Sequence, residues 1–287
     1  MEPFAVIEPR SGESPLVVEV PHAGLWIDPE SLATMIAPAR SIGRDADLHV
    51  DELFQDAPDE GATLLYARTS RYVIDLNRSE TDVDEGAVEG AGRTPWARGL
   101  IWRLTTDGDP ILLARLPLRE LTRRLDQVYR PYHRALQGLL ARKVARFGFA
   151  VLLCAHSMPS RGRGGHPDSD AYRADLVPGT RGRTSAAGLV IDRVDAHGRA
   201  LKWTIRHDDP YRGGFSTAHY GKPADGVHAV QIEISRHRYM DESTLRIDPQ
   251  GFAAVRDFAR TLVARLAFAE PDAPRRLLRC EAERSRV

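Results

Sequence analysis

The sequence predicts an α/β fold of three layers, with a mostly parallel central sheet between two sets of helices. Two observations predict it. Short, nearly continuous apolar runs recur along the chain, as strands buried on both faces require. Longer stretches with apolar residues at helical spacing lie between them. Such alternation favours a parallel sheet covered on both sides. The strand candidates are Leu16–Val20, Thr63–Ala67, Tyr72–Leu76, Phe149–Cys154, Gly188–Ile191 and His228–Ile234. The helical candidates are Pro29–Ala37, Ala46–Ala57, Leu118–Phe147 and Pro249–Phe268. In the third, Leu121, Leu125, Val128, Tyr132, Leu136, Leu139 and Leu140 form the apolar stripe, and Pro131 is expected to kink or divide it.

No repeat and no proline- or serine-rich linker divides the 287 residues, so one domain is expected over 1–287, with a polar, frayed tail from about 275. Two stretches rich in glycine and charge, Arg78–Gly99 and Pro159–Arg183, read as long loops, which in a compact domain usually carry function or disorder. Lys+Arg and Asp+Glu balance at 40 each, which gives no reason to expect nucleic acid or a membrane surface as partner. The Arg/Gly stretches lack the interleaved aromatics of an RNA-binding segment. Only Cys154 and Cys280 occur, too few for a disulfide framework or a cysteine-rich zinc site. The first 15 residues do not form a signal peptide, and the longest apolar run, "FAVLLCA", is far too short to cross a bilayer. A soluble, cytoplasmic protein is the expectation; the oligomeric state is left open.

Ligands of an open α/β sheet gather beyond the carboxyl ends of its strands. There the sequence places His22 after Leu16–Val20, His156 after Phe149–Cys154, Asn77 and Arg78 after Tyr72–Leu76, and Glu233 near the end of His228–Ile234. Two imidazoles, carboxylates, an amide and a guanidinium on one rim are the inventory of a hydrolytic metal site for an anionic substrate. A catalytic Zn²⁺ commonly takes three protein ligands, and "GRDADLHVDELF" offers Asp45, Asp47, Asp51 and Glu52 for the third. Asp47 and Asp51, four apart, could share a helix face. Glu233 shares a strand face with Gln231 and Ser235, opposite Ile232 and Ile234. Partial burial there would raise its pKa and suit it to proton transfer; the alternative is a structural pairing with an arginine such as Arg236. Arg212, His219 and Tyr220, in the glycine-bearing loops "HDDPYRGG" and "STAHYGKP", are candidates for the pocket wall. His49 reads as a locally bonded helix residue. Cys154 lies in an apolar run and Ser157 lacks the glycine-flanked elbow of a nucleophile, so neither is taken as one.

The segments "VPHAG", "RDADLHVDELF", "SRYVIDLNR", "LLCAHSMPS", "HYGKPADGVHAVQIEIS" and "RYM" resemble, in that order, those of N-formylglutamate amidohydrolases, from about residue 16 to 241. That family is in turn distantly similar to zinc carboxypeptidases and aspartoacylase, which implies a three-layer α/β fold and a metal-bound water. The resemblance implies His22, Asp47 and His156 as ligands of Zn²⁺ or another divalent ion, and Arg78 beside Asn77 as the clamp for a substrate carboxylate. Glu233 would be the general base, taking a proton from the water and returning it to the leaving amine. Members of the family carry a further histidine where this chain has Phe215, which leaves the acyl group and the amino acid open. The implied activity is hydrolysis of a small, anionic N-acyl amino acid, N-formyl-L-glutamate first. A carboxypeptidase-like peptidase and a binding homologue without turnover are the alternatives.

Overall fold

The computed structural model describes residues 1–10, 12–90, 96–164 and 168–267. Apart from a two-residue hairpin pair at Met240–Asp241 and Arg246–Ile247, its strands are β1 (Phe4–Ile7), β2 (Leu16–Val20), β3 (Thr63–Ala67), β4 (Ala150–Met158), β5 (Leu176–Gly179) and β6 (Val227–Ser235). They form one sheet in the order β1-β3-β2-β4-β6-β5. β3, β2, β4 and β6 run parallel, and β1 and β5 close the two edges antiparallel. The helices are α1 (Pro29–Leu32), α2 (Ala39–Asp45), α3 (Val50–Leu53), α4 (Leu118–Arg124), α5 (Arg130–Phe147), α6 (Gly188–Ala200), α7 (Phe215–Tyr220) and α8 (Pro249–Leu266).

Alternation along the strands splits the core into two. Leu16, Val18, Leu153, Ala155, Val230, Ile232 and Ile234 pack against Val190, Ile191 and Val194 of α6 and Val255, Phe258 and Leu262 of α8. Val17, Ala150, Leu152, Cys154 and Ala229 point the other way, against Leu121 of α4 and Tyr132, Leu136 and Leu140 of α5. The three layers follow directly. Each fully buried Leu, Val or Ile contributes about 1.5–3 kcal/mol relative to exposure, which is why near-continuous apolar strands select this arrangement. Between α4 and α5 the helix widens into a π-turn, Leu125–Tyr129, just ahead of Pro131, whose missing N–H the ordinary ladder cannot accommodate.

Several expected elements take another form. Tyr72–Leu76 is not a strand but a buried turn segment. Its backbone is satisfied from outside: Arg124, fully buried, donates to the Val73 carbonyl at 2.8 Å, and Asp75 N–H donates to the Leu100 carbonyl at 2.9 Å. Gly188–Ile191 is the first turn of α6, because Val190, Ile191 and Val194 continue at helical spacing. Pro29–Ala37 contracts to α1, capped by Asp28, whose carboxylate accepts from Ser31 N–H. Ala46–Ala57 retains only α3, so Asp47 lies between two short helices and shares no helix face with Asp51. The edge strands β1 and β5 were not expected, and β5 falls inside the stretch read as a loop. α8 ends at Leu266 rather than Phe268, and the tail from about 275 lies outside the described residues. Among the described residues no helix is long and apolar enough to cross a membrane.

His228 on β6 is buried, and its Nδ1 accepts the Ala187 N–H at the start of α6 (3.2 Å). Burial pushes its pKa from 6.5 down to about 4. The folded state therefore binds fewer protons than the unfolded chain between these values. The stabilisation is complete above about pH 6.5 and is lost as pH falls towards 4, about 3 kcal/mol in all. His228→Asn, which can accept the same bond without titrating, should lose less stability over that interval in denaturant unfolding. Equal losses in the two proteins would contradict this.

Candidate metal centre

The chain goes from β2 out to β3 on one side and returns as β4 on the other, so the strand order reverses between β2 and β4. Such a reversal opens a crevice at the carboxyl ends of the two strands. His22 follows β2, and His156 lies on β4 itself, which runs four residues further than expected, to Met158. Gly24 lets the "PHAG" turn close against β3: a Cβ there would lie 2.3 Å from the Arg68 carbonyl carbon. Asp47 is drawn in by its backbone, whose N–H donates to the His22 carbonyl at 3.0 Å.

These three side chains meet. Candidate ligand atoms of His22, Asp47 and His156 lie within 4.8 Å of one another, all buried. Asp47 Oδ2 accepts from His156 Nδ1 at 2.8 Å and lies 3.6 Å from His22 Nδ1. Asp47 Oδ1 is held by Arg236 Nη2 at 3.2 Å. Burial alone would raise the Asp47 pKa, but the hydrogen bonds from the two histidines outweigh it and hold the carboxyl well below its ordinary range. Two imidazole nitrogens and one carboxylate oxygen turned towards a common point suit Zn²⁺ or another divalent ion.

The ligand set has an outer support that the sequence reading missed. His22 Nε2 bonds Asp75 Oδ1 at 2.8 Å, which leaves Nδ1 for the centre. Asp75 also accepts from Asn77 N–H, Arg71 Nη2 and Trp102 Nε1. Burial works against its charge, yet Arg71 and His22 keep its pKa well below the usual value. An acid embedded in the apolar run "YVIDL" was the available signal. Arg236 likewise proves to be a partner of Asp47 and of Ser157, rather than of Glu233.

A cavity of about 470 Å³ opens over the cluster, lined by Asn77, Arg78, Arg212 and Glu233 among others. Glu233 is directly across from His156 in the β4–β6 register. Its Oε1 accepts from Gln231 Nε2 at 2.8 Å, and Gln231 Oε1 in turn accepts the Gly214 N–H. Burial pushes the Glu233 pKa up to about 7. The Asn77 amide is engaged internally, with His156, Gln231 and Ser216 N–H. Gly214 makes room for it, since a Cβ would lie 2.3 Å from Asn77 Nδ2. Arg78 is partly exposed, with Asp82 3.8 Å away.

His219 and Tyr220 are not part of this wall. On α7, Phe215 and Ala218, three apart, face the cavity, which turns His219 and Tyr220 towards α5. There they line a separate groove with Leu140 and Val144, and Tyr220 Oη bonds His133 Nδ1 at 2.9 Å. Asp51 is away from the cluster, and His49 is bonded to Glu52, at the N-terminal cap of α3.

Fold and site together define a three-layer α/β protein with a buried histidine–aspartate–histidine centre at the switch point of its sheet. Within that class the chain belongs to the N-formylglutamate amidohydrolase family, whose sequence model matches residues 14–240. It is 34% identical to N-formylglutamate deformylase of Pseudomonas putida over 242 residues, 83% of this chain and 86% of that one. The enzyme of the same name from Pseudomonas aeruginosa is 33% identical over the same length. The crystal structure of N-formylglutamate amidohydrolase from Ralstonia eutropha JMP134 superposes with a TM-score of 0.84 at 32% identity, covering 93% of this chain and 98% of that one.

Asp75→Asn should leave the chain folded and weaken Zn²⁺ binding about 10- to 100-fold, as loss of an outer carboxylate does elsewhere. Competition with a chromophoric chelator measures this, and an unchanged affinity would remove Asp75 from the support of His22.

Proposed function

We propose that this chain hydrolyses the formamide of N-formyl-L-glutamate, releasing formate and L-glutamate, at a divalent-metal centre held by His22, Asp47 and His156. The observation that carries the reading is the convergence of these three buried side chains beside Glu233, under a cavity wide enough for a small ligand. The names of the Pseudomonas relatives support the substrate.

When bound, a divalent ion such as Zn²⁺ supplies Lewis acidity, polarising the formyl oxygen and making water acidic enough to attack near neutral pH. The remaining work falls to the protein. Asp75 fixes the His22 ring so that Nδ1 faces the centre, and Arg236 occupies the second oxygen of Asp47. Glu233, one oxygen tied to Gln231, accepts the proton of the attacking water and delivers it to the departing nitrogen. A carboxyl whose pKa stands at about 7 can both take and return a proton near neutrality. Arg78, at the rim, holds a substrate carboxylate through its planar pair of N–H donors and so orients the amide.

Glu233→Gln should lower kcat about 10²- to 10⁴-fold while metal content stays near that of the wild type. Arg78→Ala should act mainly on KM for N-formyl-L-glutamate, raising it roughly tenfold or more. His22→Ala and His156→Ala should lose both metal and formate release. Formate assays with metal analysis check all four, and wild-type turnover in Glu233→Gln or His22→Ala would contradict the mechanism.

A further inference from the structure

Nine arginines line the cavity. Six have a carboxylate within 4 Å: Arg44, Arg71, Arg78, Arg163, Arg173 and Arg236. Arg98, Arg181 and Arg212 have none among the described residues. Uncompensated guanidinium groups in one cavity repel each other, and an anionic ligand relieves that repulsion. One substrate carboxylate, held at Arg78, leaves these three unmatched.

Arg181 and Arg212 are also held together. Arg181 N–H donates to the Arg212 carbonyl at 2.9 Å, and Arg181 Nη1 donates to the Gly213 carbonyl at 3.0 Å. Asp208 accepts the backbone N–H groups of Thr180, Arg181 and Gly182 at 2.6, 3.1 and 2.7 Å, binding the loop after β5 to the loop before α7. Arg181 and Asp208 both sit in the left-handed region, with φ of 53° and 59°. For residues with a Cβ that conformation costs about 1–3 kcal/mol, and it persists only where its surroundings impose it. The two loops approach so closely at Gly179 that a Cβ would lie 2.6 Å from Gly213 N. From there Gly214 N–H reaches Gln231, the residue that holds Glu233.

We propose that Arg181 and Arg212 form a second anion subsite that takes the side-chain carboxylate of the substrate, with Asp208 as its positioning residue. The proposal rests on the amidohydrolase reading above and adds a source of selectivity: acidic N-acyl amino acids over their neutral isosteres. An amide in place of the carboxylate forfeits the charge-assisted bonds, a difference of about tenfold or more in binding.

The test compares kcat/KM for N-formyl-L-glutamate and N-formyl-L-glutamine in the wild type, Arg181→Met, Arg212→Met and Asp208→Ala. The wild type should favour the glutamate substrate at least tenfold. Each variant should lose most of that preference through KM for the glutamate substrate, with the glutamine substrate changed less than about threefold. Asp208→Asn, which keeps an acceptor oxygen, should restore part of it. The ratio of the two kcat/KM values does not depend on the fraction of folded enzyme, so a merely structural role for Asp208 would leave it unmoved. An unchanged ratio in both arginine variants overturns the subsite. Should the wild type hydrolyse neither compound, the amidohydrolase reading falls, and calorimetry of L-glutamate against L-glutamine on the Zn²⁺-loaded protein decides the subsite separately. A preference for glutamate that Arg181→Met abolishes upholds it; no preference, or one that survives, overturns it.

Discussion

A buried carboxylate, Asp47, is the constraint on which the site depends. Taking an unpaired carboxylate out of water costs several kcal/mol, so its charge has to be met by fixed partners. Three parts of the chain meet it: His22 after β2, His156 on β4, and Arg236 directly after β6. Asp75 repeats the arrangement one layer further out, between His22, Arg71 and Trp102. The irregular segment that carries Asp75 is itself held by the buried Arg124 of α4. Helix packing, loop position and ligand geometry are thus linked through charged groups that cannot be moved independently.

The sheet's central strands were legible because parallel strands buried on both faces are apolar almost without interruption, and Leu16–Val20 and Thr63–Ala67 occur with the bounds expected. The same signal misled at Tyr72–Leu76 and Gly188–Ile191, since a short apolar run states burial and not backbone conformation. β1 and β5 are only four residues long, and β5 contains a proline, so neither carries a strand pattern. Of the site, His22, His156 and Glu233 could be placed from the strand-end rule, the family motifs selected Asp47, and Asn77–Arg78 reach the cavity although the segment before them is a turn rather than the expected strand. Asp75, Gln231 and Arg236 could not be assigned, because their partners lie 53, 154 and 189 positions away or depend on backbone N–H groups that only the folded loops present. His219 and Tyr220 were misplaced for want of the α7 phase, which a six-residue helix does not reveal in sequence.

The site divides by charge. Its floor pairs cations with buried carboxylates and holds Glu233, whose proton affinity burial has raised to the neutral range. Its mouth has arginines without carboxylate partners, on loops fixed by backbone contacts. On the proposed reading the floor serves bond cleavage and the mouth anion recognition, and the Gly214–Gln231–Glu233 chain of hydrogen bonds connects the two. Loops of this kind can vary in the side chains they present while the strand ends beneath stay in place.

The most direct test of the central claim is an anomalous-difference map from crystals of the Zn²⁺-loaded protein, collected on either side of the zinc absorption edge. The account predicts one strong peak within bonding distance of His22 Nδ1, His156 Nδ1 and Asp47 Oδ2. A fully loaded protein with its ion elsewhere, or with no peak between these three side chains, would contradict it.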